Sequence, residues 1–305
     1  MKINKIFCGL DTIHITITRQ RNVVSFIGED GEPTDKLFYG VLDILLGRNF
    51  VVVGGSKKFV NNGSEYIQSN SKEILIQLRS AHLMKFGSSK VEAILKFLGD
   101  SGVKPRAKRT RRKDAPNINL AVFYQITRLD FAVDYETKAE LIKVLNKGIG
   151  YTSFFRGIPK GYFYRVIHHN QRNSDGTREH TLKEIKIFNN GFELAIYNKK
   201  LEIAEQATAE KLQLYPSIYR EILSNKKRKL FRVELRLFRS RSVAFNNLPV
   251  SEIFALPAIE LSKFGKATSI VRRQKGVEVN CPLFARIFDL ENNCGTKEGK
   301  LNGTR

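Results

Sequence analysis

The sequence predicts an α+β fold in which a central antiparallel sheet has helices packed on one side. Two observations carry this. Several segments alternate apolar and polar residues with a period of two, as half-buried strands do. Fewer segments carry the three-to-four spacing of an amphipathic helix, and two of the strand candidates are joined by an Asn-Gly turn, a connection only antiparallel neighbours use.

In chain order, Ile13, Ile15 and Ile17 alternate with His14, Thr16 and Thr18, a strand with one greasy side. Val51 to Gly55 and Glu73 to Leu78 are further strand candidates. Ser88 and Ser89 precede Val91, Ile94, Leu95 and Leu98, which share one helical face and predict a capped helix ending at Gly99. Lys104 to Lys113 holds seven basic residues in ten (Lys104, Arg106, Lys108, Arg109, Arg111, Arg112, Lys113), bounded by Pro105 and Pro116. Charges of one sign at this density resist compaction, so the stretch reads as an exposed arm. Gln125 to Tyr135 alternates again, with Leu129, Phe131, Val133 and Tyr135 on one side and Arg128, Asp130, Ala132 and Asp134 on the other. Thr137 and Glu140 form a capping box for a helix through Leu145. Tyr162 to His169 and Thr181 to Phe188 predict two strands, and Asn189-Asn190-Gly191 predicts a tight hairpin into Phe192 to Tyr197, because Asn-Gly readily takes positive φ. Helices follow to about Leu212 and over Ile218 to Ser224, then a strand over Leu230 to Phe238. The division is a β-rich region over 1–103, the basic arm over 104–116, a core over 117–245, and short helices with a polar tail over 246–305. The recurrence of strands on both sides of the arm allows two related sheet-bearing halves.

Lys and Arg number 52 against 30 Asp and Glu, a formal charge of +22. A chain this basic repels itself and attracts polyanions. Membrane-surface proteins concentrate such charge on one amphipathic helix or tail, whereas here it is spread, which favours nucleic acid. Hydrophobic residues make up 42%, too many for a disordered polycation, and no apolar run approaches bilayer length. Cys8, Cys281 and Cys294 lack metal spacing and read as reduced thiols of a cytoplasmic protein. Gly54-Gly55-Ser56-Lys57 lacks the spacing of a phosphate-binding loop, so there is no case for an ATP-driven helicase.

Three segments carry candidate chemistry: Arg128-Leu129-Asp130, Tyr197-Asn198-Lys199-Lys200-Leu201-Glu202, and Arg232-Val233-Glu234-Leu235-Arg236. If the first and last are neighbouring strands, Asp130 and Glu234 lie at cross-strand distance, and two hard oxygen donors on a rigid sheet suit Mg²⁺ or Mn²⁺. Asp134 shares their face but lies roughly 13 Å further along, too far for one ion. The plainer reading of alternating Arg and carboxylate is a solvent-facing ion-pair ladder worth little.

In this order, these residues resemble the gene II replication proteins of filamentous phages and the related plasmid and phage rolling-circle replication initiators. Ile74 to Phe86, with Ser80, His82 and Phe86, is similar to a segment that precedes the family's Arg-x-Asp strand. The likeness spans roughly 70 to 245. It implies a relaxase- or Rep-like nuclease core that nicks one strand of origin DNA by tyrosine attack, keeps a 5′-phosphotyrosine bond and reseals the strand. On that resemblance Tyr197 is the nucleophile, Lys200 its helper one helical turn away, and Asp130 with Glu234 the Mg²⁺ or Mn²⁺ ligands. Arg128, Arg232, Arg236 and the arm contact DNA, and host helicase and polymerase are partners. Tyr162 and Tyr164 are the alternative tyrosines. Many replication nickases hold metal with a His-hydrophobe-His triplet, which this chain lacks: His168 and His169 are adjacent and point to opposite strand faces, so one of these or His180 contributes singly or not at all. The competing function is a non-catalytic DNA-binding initiator or repressor.

Overall fold

The computed structural model describes residues 3–19, 33–46, 51–52, 58–61, 65–69, 73–106, 122–139, 153–156, 161–172, 176, 178–206, 208–238, 249, 251–253, 269–274 and 277–280. The N-terminal elements are β1 (Ile3–Arg19), α1 (Pro33–Leu46), β2 (Val51–Val52), β3 (Lys58–Asn61), β4 (Glu65–Ser69), β5 (Glu73–Leu78), α2 (Ser80–Phe86), α3 (Ser89–Asp100) and β6 (Lys104–Pro105). Then come β7 (Val122–Thr137), β8 (Ser153–Arg156), β9 (Phe163–Arg172), β10 (Arg178–Asn189), β11 (Phe192–Tyr197), α4 (Lys199–Gln206), α5 (Ala209–Leu214), α6 (Ser217–Ser224), β12 (Lys229–Phe238), β13 (Ser269–Gln274) and β14 (Val277–Asn280).

Among the described residues eleven strands form one sheet in the order β2-β3-β4-β5-β1-β7-β12-β11-β10-β9, with β6 parallel to the start of β7. β1 and β7 are antiparallel over their whole lengths, from Ile3 opposite Thr137 to Arg19 opposite Val122. Regions 1–103 and 117–245 therefore contribute to one sheet. Outward from this central pair the order is β1-β5-β4-β3-β2 on one side and β7-β12-β11-β10-β9 on the other, so each half pairs its first strand with its last and meanders to its edge.

Alternation sorts the sheet's two faces. Ile13, Ile15, Ile17, Leu129, Phe131, Val133, Phe231, Val233, Leu235, Leu194 and Ile196 share a buried core with Val41, Leu42 and Leu45 of α1 and Val91, Ile94 and Leu98 of α3. Burying one such aliphatic side chain stabilises by about 1.5–3 kcal/mol. A second core joins Leu230, which alternation places on the other face, to Ile203, Leu214, Tyr219 and Ile222 of α4, α5 and α6 and to Tyr215 between α5 and α6. The fold is thus α+β with antiparallel pairing, and its helices divide between the two faces. That division has a consequence for β7: Asp130 and Asp134, expected on an open face, are 1% and 0% exposed.

The β10–β11 hairpin forms where expected, with Asn189 opposite Phe192. Its turn is fixed differently, since Gly191 is absent from the positive-φ glycines and its N–H instead donates to the Asn189 side-chain oxygen at 2.9 Å, an Asx turn. Of the capping box at Thr137 the described part is an N–H of Ala139 donating to Thr137 Oγ1; the helix to Leu145 lies outside the described residues. Of the C-terminal region, expected to hold short helices, the described residues show a helical turn over 251–253 and the strands β13 and β14, which make a small sheet with β8. No helix among the described residues is long and apolar enough to cross a membrane.

Candidate active site

β7 and β12 are antiparallel neighbours, with Arg236 opposite Asp130, Glu234 opposite Ala132 and Arg232 opposite Asp134. β11 lies beside β12 with Tyr197 opposite Arg232 and Ala195 opposite Glu234. All these side chains project from the face covered in part by α4, α5 and α6. Asp130 and Glu234 meet on the diagonal rather than directly across the ladder.

A third carboxylate completes the cluster. Oxygens of Asp11, Asp130 and Glu234 lie within 4.8 Å of one another, and all three residues are buried. Strict alternation from Ile13 would send Asp11 to the apolar face. The β1–β7 register shifts between Leu10, opposite Phe131, and Thr12, opposite Asp130, leaving Asp11 as the extra residue of a β-bulge. Bulges re-aim side chains in this way, and period-two reading of the sequence passes over them.

Arginines surround the carboxylates. Arg128 donates to both oxygens of Asp130, at 2.7 and 2.9 Å from Nε. Arg236 donates to Glu234 at 2.9 and 3.1 Å and to Glu193 at 2.5 Å. Arg232 donates to both oxygens of Asp134, at 2.6 and 2.7 Å, and to Asp11. The buried carboxylates Asp11, Asp130, Asp134 and Glu234 thus face the guanidiniums of Arg128, Arg232 and Arg236, with the buried Lys199 ammonium close by. Burial and the charge of Glu234 push the Asp130 carboxyl up to about 7 despite the opposing pull of Arg128. Burial acts on Glu234 as well, but the charge and hydrogen bond of Arg236, with Arg232 and the Tyr197 hydroxyl, outweigh it and hold that carboxyl below its ordinary range. A divalent cation fits this group, where three hard oxygen donors converge.

Tyr197 ends β11 and donates its hydroxyl to Glu234 Oε2 at 2.6 Å. Burial, with the Glu234 charge beside it, holds this hydroxyl well above its ordinary range. An open cleft bounded by Lys183, Lys186, Asn198, Glu205 and Arg236 reaches Tyr197.

Two expectations are corrected. Lys200 does not assist Tyr197: its ammonium donates to the backbone carbonyls of Ile222, Asn225 and Arg228 at 2.7, 2.8 and 3.1 Å, capping the end of α6. The first residue of the Lys-Lys pair is the one near the phenol, with Lys199 Nζ 6.0 Å from the Tyr197 ring centre and paired with Glu202. Arg232, expected to contact DNA, is 0% exposed and committed to Asp11 and Asp134. Arg128 and Arg236 keep 30% and 20% of their side-chain surface and face the cluster's open side. Asp134 stays apart from the three-carboxylate group and accepts from the Tyr219 hydroxyl at 2.5 Å. Tyr164 is exposed and Tyr162 packs edge-on against Phe192. Lys104 lies in β6, and Arg106 donates to Gln125 at 3.2 Å and stacks over Phe123. Lys108, Arg109, Arg111, Arg112 and Lys113 lie outside the described residues, as do the side chains of His168, His169 and His180.

Fold and site together define an α+β protein whose antiparallel sheet sets a tyrosine hydroxyl against a buried three-carboxylate cluster. Among solved structures the chain is similar to a rolling-circle replication initiator protein from Geobacillus stearothermophilus, at 12% identity and a TM-score of 0.49, over 94% of this chain and 96% of that one. No protein-family profile and no curated protein matches the chain.

Proposed function

We propose that this chain is a rolling-circle replication initiator, a site-specific DNA nickase and strand transferase of the cytoplasm. The observation that carries the reading is the 2.6 Å hydrogen bond from Tyr197 to Glu234 within a cluster of three carboxylates. A phenol titrates near 10 and needs a base to become a nucleophile. Glu234 Oε2 accepts the hydroxyl's hydrogen bond and aims its oxygen, and it takes the proton only as the Oη–P bond forms and the oxygen turns acidic; Arg236 keeps the carboxylate ionised and aimed. As Tyr197 Oη bonds to the scissile phosphorus the P–O3′ bond breaks; O3′ takes up the proton that Glu234 received and leaves as a free 3′ hydroxyl, while the 5′ phosphate on the other side of the nick stays on the tyrosine. Attack by a 3′ hydroxyl on this phosphotyrosine reverses the exchange without ATP. Mg²⁺ or Mn²⁺ bound by Asp11, Asp130 and Glu234 would polarise the phosphate and offset its developing charge. Arg128 and Arg236, partly open to solvent, face the same phosphate. The basic arm, Lys104 to Lys113, tracks the flanking DNA, and host helicase and polymerase take over the displaced strand and the primer.

Supercoiled plasmid carrying the chain's own origin, incubated with protein and Mg²⁺ or Mn²⁺, is expected to yield nicked circles with protein covalently attached. Tyr197→Phe is expected to abolish the adduct and keep DNA binding; an adduct formed by the Phe variant refutes the assignment. One observation favours a second reading: each carboxylate of the cluster already has an arginine partner, as in a purely structural network. That reading predicts binding without relaxation under either metal.

A further inference from the structure

The two halves of the sheet correspond residue by residue. Ile13, His14, Ile15, Thr16 and Ile17 of β1 face Leu78, Gln77, Ile76, Leu75 and Ile74 of β5. Phe131, Ala132, Val133, Asp134 and Tyr135 of β7 face Leu235, Glu234, Val233, Arg232 and Phe231 of β12. A constant step of 118 carries the first strand onto the second (Ile13 to Phe131), and one of 157 carries β5 onto β12 (Leu78 to Leu235). The next strands keep the correspondence, with Tyr66 opposite Gln77 as Ala195 is opposite Glu234. At the centre, the pair Leu10–Phe131 answers Ile13–Leu129, and Gly9–Ala132 answers His14–Arg128, so the local two-fold passes through Thr12–Asp130, beside the carboxylate cluster. The sequence carries a trace of this: Ile76-Gln77-Leu78-Arg79 stands where the other half has Val233-Glu234-Leu235-Arg236.

In the N-terminal copy the arginine remains and the carboxylate is gone. Arg79 donates to Gln77 at 2.9 Å, as Arg236 does to Glu234. Being neutral, Gln77 leaves the charge of Arg79 uncancelled. Arg79 is exposed, stacks 5.7 Å from the Tyr66 ring centre, and has no carboxylate at ion-pair distance among the described residues. Beside it, His14 sits between Arg79 and Arg128. Strand geometry puts Gln77 about 12 Å from Asp130 on the same face, within reach of another phosphate of a strand held at the cluster. We propose that Gln77 and Arg79, with Arg128, form a phosphodiester-binding subsite, the metal-free counterpart of the Glu234 site, which grips the DNA strand next to the bond that is cut. This rests on the DNA-nicking reading and adds to it where the strand lies.

The test is the salt dependence of binding to single-stranded origin oligonucleotide, without divalent metal, so that no cleavage enters. Arg79→Gln is expected to weaken binding several-fold and lower the slope of log K against log salt by about 0.7, one phosphate contact on single-stranded DNA. Gln77→Glu, which restores the carboxylate of the other copy and neutralises Arg79 internally, is expected to do the same. Lys96→Gln, which removes one charge from the exposed face of α3, is expected to leave both quantities at their wild-type values. Wild-type slopes in both Arg79→Gln and Gln77→Glu overturn the subsite while leaving the nicking reading intact, and a slope that falls equally in Lys96→Gln overturns it too. Wild-type protein that binds no origin DNA at all overturns the nicking reading and the subsite with it.

Discussion

Asp130→Asn is the perturbation that reports most directly on the cluster. Asp130 is 1% exposed, and its carboxyl is raised from 3.8 to about 7 by burial and Glu234. An acid whose folded value is raised gives stability that is complete below its unfolded value and lost as pH climbs through the folded one. The folded chain keeps the proton that the unfolded chain has released, so each unit of pH between about 4 and 7 costs about 1.4 kcal/mol. Between pH 5 and pH 8 the loss is about 2.5 kcal/mol. His14 acts the other way: burial, Arg128 and Arg79 bring it down to about 3, so it costs stability as pH falls below 6.5. Comparing variant with wild type at each pH removes that contribution. Asn cannot ionise, so Asp130→Asn should gain about 2.5 kcal/mol on wild type between pH 5 and pH 8, read from urea midpoints in EDTA. Saturating Mg²⁺ at pH 8 should stabilise wild type and not the variant, because Asp130 is one of the three oxygen donors that converge there. Parallel pH curves for the two proteins would refute the assignment of the retained proton to Asp130, and equal Mg²⁺ responses would refute its role as a ligand.

Arg232→Met leaves the Asp11 and Asp134 carboxylates buried without their partner and should cost about 3–5 kcal/mol by urea denaturation. Lys200→Met removes the cap on α6 and should lower stability by about 1–3 kcal/mol, while plasmid nicking still yields the covalent adduct; loss of the adduct in stably folded protein would return Lys200 to the chemistry. Asp11→Asn should weaken Mn²⁺ binding at least about tenfold by calorimetry, and an unaltered affinity would remove Asp11 from the ligand set. Ile94→Ala, in the core under α3, should cost about 2–5 kcal/mol with no effect on DNA affinity at a temperature where the variant is folded.

The sequence by itself determined what depends on neighbours along the chain. Period-two alternation placed the second half of β1 and all but the ends of β7, the Asn-Gly turn placed the junction of β10 and β11, and three-to-four spacing placed α3, because a strand or helix must turn its apolar residues toward a core wherever that core lies. Asp130, Glu234 and Tyr197 were readable as candidates because their residue types and order stand out against that alternation. α1, β3 and β4 carry weaker patterns and emerged only with their partners in place. Tertiary structure alone decided the rest, because each of these facts concerns an atom far away in sequence. The second core, built by α4, α5 and α6, turned a face that reads as solvent-exposed into a buried one and made Arg232 internal. A bulge set by the pairing of β1 with β7 swung Asp11 into the cluster. The carbonyls at the end of α6 took Lys200 away from the phenol it follows by three residues. And the correspondence of Gln77 with Glu234 lies in register, which exists only once strands are paired.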